Sequence, residues 1–132
     1  MPRRKTPDSS LTALELEIMK VLWEGGPANV QSVQANLKDR ELAYTTVQTM
    51  LNVLHKKGKV KRQLENRAYI YKPVLTRQTA VSQAVSDMLQ RFFGGSADDL
   101  VLNLVETRKL TPEKLAELQQ LVDRGEGKND SE

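Results

Sequence analysis

Three observations predict a mainly α fold: a winged helix-turn-helix with a short β-hairpin wing, followed by a three-helix C-terminal dimerisation domain. Apolar residues recur at helical spacing in six separate segments. Two short runs rich in Val, Ile and Tyr follow the third segment and flank a polar turn. The third segment itself has two unlike faces. Val47, Met50, Leu51 and Leu54 form an apolar stripe, and Thr45, Gln48, Thr49, Asn52 and Lys56 fall on the other side.

The elements follow in order. Residues 1–10 read as a flexible basic tail. Thr12 and Glu15 have the spacing of a capping box, which opens a first helix buried through Leu14, Ile18 and Val21 or Leu22. Trp23 lies near its end, and Gly25, Gly26 and Pro27 stop it. Asn29 caps a second helix to about Lys38, with Val30, Val33 and Leu37 inward. A polar link from Asp39 to Leu42 leads to the third helix, which ends at Lys57-Gly58. Val60 to Leu64 and Ala68 to Lys72 are expected strands, with Glu65, Asn66 and Arg67 between them and Pro73 as the stop. Helix, helix, helix and hairpin in this order make residues 11–75 a winged helix-turn-helix.

Residues 76–124 differ in character. A long helix from Thr76 to about Phe93 carries Val81, Ala84, Val85, Met88, Leu89 and Phe92, and Gly94-Gly95 breaks it. Ser96 caps the next helix, where Asp98 and Asp99 suit the positive end of the helix dipole. Its stripe is Leu100, Val101, Leu104 and Val105. Pro112 suits the first position of a last helix lined by Leu115, Leu118, Leu121 and Val122. This is more apolar stripe than a small wing domain covers. Val85, Met88, Leu89, Phe92, Leu100, Leu104, Leu115, Leu118 and Leu121 are therefore expected to join two copies as a homodimer, the alternative being that they fold back on their own chain. Residues 125–132 read as a disordered tail.

Composition narrows the function classes. Of 132 residues, 39% are hydrophobic and 28% charged, which fits a globular protein with a modest core. No apolar run approaches the length of a membrane span. The basic N-terminus lacks an apolar segment behind it, so a cytoplasmic location is expected and membrane insertion is not. There is no cysteine and one histidine, His55. Disulfides, thiolate metal sites and cysteine nucleophiles are thereby excluded, and no Ser-His-Asp arrangement, phosphate loop or metal box is present. No enzyme, cofactor or metal is expected. Net charge is +3 but uneven: residues 1–77 hold 14 Lys and Arg against 7 Asp and Glu, whereas residues 78–132 hold 6 against 10. A basic front half is the footprint of a polyanion binder, most simply nucleic acid such as double-stranded DNA, the alternative being a solvated surface whose asymmetry is chance.

The candidate contacts divide by chemistry. Gln48, Thr49 and Asn52 can read base edges: an amide pairs bidentately with adenine, and a threonine methyl touches thymine. Thr45 and Thr46 open the helix, where hydroxyls and unpaired N–H groups suit a phosphate, although either could simply cap. Tyr44 could donate to a phosphate or pack. Lys56, Lys61, Arg62 and Arg67 suit phosphate or minor-groove contact. The face is free of acidic residues, whereas an ordinary surface helix mixes Glu with Lys. Two other uses of the same fold are a protein-interaction module and a nonspecific architectural DNA binder.

LTALELEIMKVLW, AYTTVQTMLNVLHKKGKV, the wing arginine before AYIYKP, and LVLNLVETRKLTPEKLAEL occur in this order. From Leu11 to Val122 the chain resembles the penicillinase-repressor family of bacterial transcriptional repressors (BlaI/MecI type, with copper-responsive CopY relatives). The resemblance implies a homodimer whose wing domains occupy the half-sites of a palindromic operator and block transcription. It also implies a membrane-bound sensor that triggers proteolysis after an asparagine, which maps onto Asn103-Leu104. The family bond is typically Asn-Phe, and the family often has Arg where this chain has Val53. The copper-responsive relatives use a cysteine cluster that is missing here.

Overall fold

The computed structural model describes residues 11–37 and 40–125. Both expected tails lie outside these residues, except Gly125. The order is α1 (Ala13–Gly25), α2 (Val30–Asn36), α3 (Tyr44–Lys56), β1 (Val60–Glu65), β2 (Ala68–Pro73), α4 (Arg77–Phe93), α5 (Ala97–Glu106) and α6 (Pro112–Asp123). This is the mainly α architecture with one hairpin that the periodicities predict. The chain divides into two compact units, residues 1–85 and 86–132, with the division inside α4.

In the first unit α1 and α2 start with their expected caps. The Thr12 hydroxyl accepts from the Glu15 N–H at 3.1 Å, and the Glu15 carboxylate accepts from the Thr12 N–H at 2.9 Å. Asn29 accepts from the Ser32 N–H at 2.8 Å. α2 is shorter than its sequence pattern suggests, ending at Asn36 with Leu37 as the C-cap. α3 stops where Gly58 takes a φ of 79°, open to glycine at little cost, and the Gly58 and Lys59 N–H groups close back on the His55 and Leu54 carbonyls.

The core of this unit is Ile18, Met19 and Leu22 from α1, Val30, Val33 and Leu37 around α2, and Val47, Leu51 and Leu54 from α3, completed by Val60, Tyr71 and Leu75. Met50 is half-buried against it. The ambiguity in α1 resolves toward Leu22, and Val21 packs at the edge. β1 and β2 pair antiparallel with Arg62 opposite Tyr71 and Lys61 opposite Lys72. The loop before α2 adds a third rung: Ala28 and Tyr71 exchange two backbone hydrogen bonds, at 3.0 and 2.8 Å. The wing is therefore fixed to the helical body at its base. Trp23 adds to this by donating its indole N–H to the Leu75 carbonyl at 2.9 Å.

Among the described residues one charge lies inside. Glu15 is 1% exposed, and its second carboxylate oxygen accepts from Lys57 Nζ at 2.8 Å. Burial alone pushes this carboxyl up. The hydrogen bonds from Lys57 and Thr12 and the Lys57 charge together outweigh burial, so its pKa lies below the usual carboxylate value.

In the second unit, Ser96 caps α5 and Thr111 caps α6, with Pro112 at the start of α6. Arg108 takes a left-handed φ of 65° as α5 ends. Among the described residues no side chain of α4, α5 or α6 is buried. Val85, Phe92, Leu115 and Leu118 are exposed, Phe92 to 74%. Met88, Leu89, Leu100, Leu104 and Leu121 are only half-buried.

Candidate nucleic-acid interface

The buried stripe of α3 fixes which face looks outward. With Val47, Leu51 and Leu54 fully enclosed, Thr45, Thr46, Gln48, Thr49 and Lys56 are left exposed. Tyr44 is exposed beside them. The N-cap is Ala43, which offers no side-chain bond, so neither Thr45 nor Thr46 serves as the cap. Their hydroxyls stay available at the helix start, where the dipole and amide groups favour an anion. No residue of α3 is acidic.

Asn52 stands apart from that exposed row. Its Oδ1 accepts from Arg62 Nη1 at 2.8 Å and from the Tyr71 hydroxyl at 3.3 Å. Arg62 in turn lies over the Tyr69 ring, 4.3 Å from its centroid, and Tyr69 and Tyr71 are 6.3 Å apart between ring centres. The polar face of α3 is thus tied directly to the wing. The sequence placed Asn52 and Arg62 among the contacts but gave no sign that they bond one another across ten residues.

Strand alternation separates the wing cations. Arg62 shares the inward face with Tyr71 and Val60, while Lys61 lies on the opposite face across from Lys72. Arg67 is at the tip, in a two-residue turn in which Asn66 and Arg67 have φ of 50° and 72°. Glu65 is close in sequence, yet no ion pair joins it to Arg67 among the described residues. The surface is one polar helix face beside a ribbon with separated positive charges. It can donate hydrogen bonds, approach base edges and neutralise phosphates. His55 is half-buried, and no cluster of metal-ligating side chains occurs among the described residues.

Asn103, the residue singled out for cleavage, is exposed on α5. Its carbonyl accepts both from the Thr107 N–H at 2.9 Å and from the Thr107 hydroxyl at 2.8 Å. No helix among the described residues is long and apolar enough to cross a membrane.

The chain is similar to known proteins. The family model described as "Penicillinase repressor" matches residues 11–124. The penicillinase repressor of Bacillus licheniformis is 34% identical over 110 residues, covering 83% of this chain and 86% of that protein. The methicillin resistance regulatory protein MecI of Mammaliicoccus sciuri is 22% identical over 115 residues, covering 86% and 94%. The solution structure of the DNA-binding domain of the repressor BlaI is 33% identical, covers 58% of this chain and 93% of that domain, and superposes with a TM-score of 0.49. With the family model spanning both units, the chain belongs to the penicillinase repressor family.

Proposed function

We propose that this chain is a homodimeric, sequence-specific repressor that holds a palindromic DNA operator and has no enzymatic activity of its own. The observation that carries the reading is the exposed, acid-free face of α3 tied to a basic wing by the bond from Arg62 to Asn52. Gln48 and Thr49 reach base edges, and Thr45, Thr46, Tyr44 and Lys56 hold the backbone, with Lys61 and Arg67 on the wing. Residues 11–75 form the DNA-binding domain and residues 76–124 the dimerisation domain, through the apolar side chains that α4, α5 and α6 leave uncovered. The protein works in the cytoplasm. Proteolysis at Asn103-Leu104 by a sensor-activated protease ends repression.

The test is fluorescence anisotropy at about 150 mM salt, with DNA from upstream of the chain's own gene and a scrambled duplex. The expected result is a preference of at least roughly 10³-fold for the native DNA. Equal weak binding to both would make the protein an architectural binder. No binding to either would point to protein partners instead.

A further inference from the structure

Arg62 restricts what Asn52 can say to DNA. A guanidinium carries donors and no acceptor, so the Asn52 atom 2.8 Å from it has to be the carbonyl oxygen. The Tyr71 hydroxyl donates to the same atom at 3.3 Å, and Tyr71 is only 2% exposed, which leaves it little freedom to turn away. The amide orientation of Asn52 is therefore set by the protein. Its Nδ2 group is the part left over. No protein acceptor meets Nδ2 among the described residues, and the one buried side-chain polar atom without a partner there is Oε1 of Gln83. Nδ2 is thus open to solvent, on the helical face that Gln48 and Thr49 share.

Reading adenine bidentately requires an amide that accepts from N6 while donating to N7. Asn52 has lost the accepting half. We propose that Asn52 reads a single base acceptor (purine N7, guanine O6 or thymine O4) through its donated bond and makes no bidentate pair with adenine, with Arg62 as the residue that positions it. This deepens, and rests on, the DNA-binding reading above. Arg62 is then a positioning residue and takes no phosphate: its guanidinium is held by Asn52 on one side and by the Tyr69 ring, at 4.3 Å, on the other.

The experiment uses the full chain and a footprinted duplex from upstream of its gene. Single bases are replaced in turn by analogues: 7-deazaguanine and 7-deazaadenine lack N7, 2-aminopurine lacks O6, 5-methyl-2-pyrimidinone lacks O4, and nebularine lacks the adenine amino group. Each duplex is titrated with wild type, Asn52→Ala and Asn52→Asp. The last variant keeps the acceptor for Arg62 and Tyr71 and puts a charged carboxylate oxygen where the donor was, so it holds the local fold if alanine does not, and its uniform loss on all duplexes is set aside by comparing analogues within the variant. One acceptor deletion should weaken wild type by roughly five- to tenfold and leave both variants indifferent at that position. Arg62→Ala should relax the preference at the same base pair and leave the salt slope unchanged.

A loss on nebularine that depends on Asn52 would overturn the proposal, because it would reveal an accepting amide. Acceptor deletions that affect wild type and variants alike would overturn it too. So would a salt slope flattened by about one unit in Arg62→Ala, the sign of a lost phosphate contact. Failure of the underlying reading looks different: wild type itself would not prefer the native duplex.

Discussion

Arg67 occupies the second position of a two-residue hairpin turn with a φ of 72°, after Asn66 at 50°. Turns of this hand favour Asn followed by Gly, and a side chain held in the left-handed region costs about 1–2 kcal/mol. Asparagine tolerates that region, but arginine does not do so cheaply. A long cation kept at the wing tip against this cost is best accounted for by what it reaches. Arg67→Gly should therefore raise stability by roughly 1 kcal/mol in thermal unfolding while weakening binding to every DNA sequence alike. On α3, Gln48→Ala should cost roughly 1–3 kcal/mol on the native operator and little on scrambled DNA, as read by anisotropy on both. Periodicity exposed Gln48, Thr49 and the two threonines in the sequence, because a face opposite a buried stripe faces water. The engagement of Asn52 was hidden, since it depends on where a strand ten residues away returns.

At the scale of elements, local signals were legible and distant ones were not. The Thr12–Glu15 capping box, the Asn29 cap and the hairpin come from residues within a few positions of each other, and the structure contains them, with the turn one residue shorter than expected because Glu65 pairs with Ala68 in the ladder. Glu15 has a second role that no local pattern announces: it binds Lys57, 42 residues on, and so ties the start of α1 to the end of α3. Met19 and Leu75 complete the core for a similar reason, since only the assembled fold closes over them. The Glu15 carboxyl has a lowered pKa in the folded chain. Its contribution is therefore fully present above the unfolded value near 4.5 and is lost as pH falls through the lower folded value. Glu15→Gln should lower stability at neutral pH by roughly 1–3 kcal/mol, with the deficit shrinking in acid as wild type loses the same charge. A deficit of the same size at every pH would remove the ion pair from the account.

For the whole molecule, the two units differ in how they satisfy their apolar surface. The first encloses twelve apolar side chains. The second shows amphipathic helices with proper caps and, among the described residues, no buried side chain. Isolated helices of ten to twelve residues are marginal in water, so α5 and α6 require apolar cover. A second copy supplies it in the proposed dimer. Leu118→Asp should shift the mass found by light scattering from dimer to monomer at micromolar concentration. It should also reduce affinity for the full palindrome far more than for a single half-site, because two linked domains gain from effective concentration. Wild type found as a monomer under these conditions would reassign the C-terminal helices. The sequence displayed the stripes clearly, but a stripe records that a partner is required and leaves its identity open.

The bond after Asn103 lies near the last turn of α5, and its carbonyl is held twice by Thr107. Proteases take substrate backbone in extended form, so the intact helix shields that bond. The lifetime of a repressor removed by such a cut is then governed by how often the end of α5 frays, and a protease that is merely present has to wait for it. Thr107→Ala removes the hydroxyl latch and should speed amide hydrogen exchange at the end of α5. Under the proposed cleavage it should also shorten the protein's half-life by the same factor, turning one side chain into a timer for the proposed return of transcription.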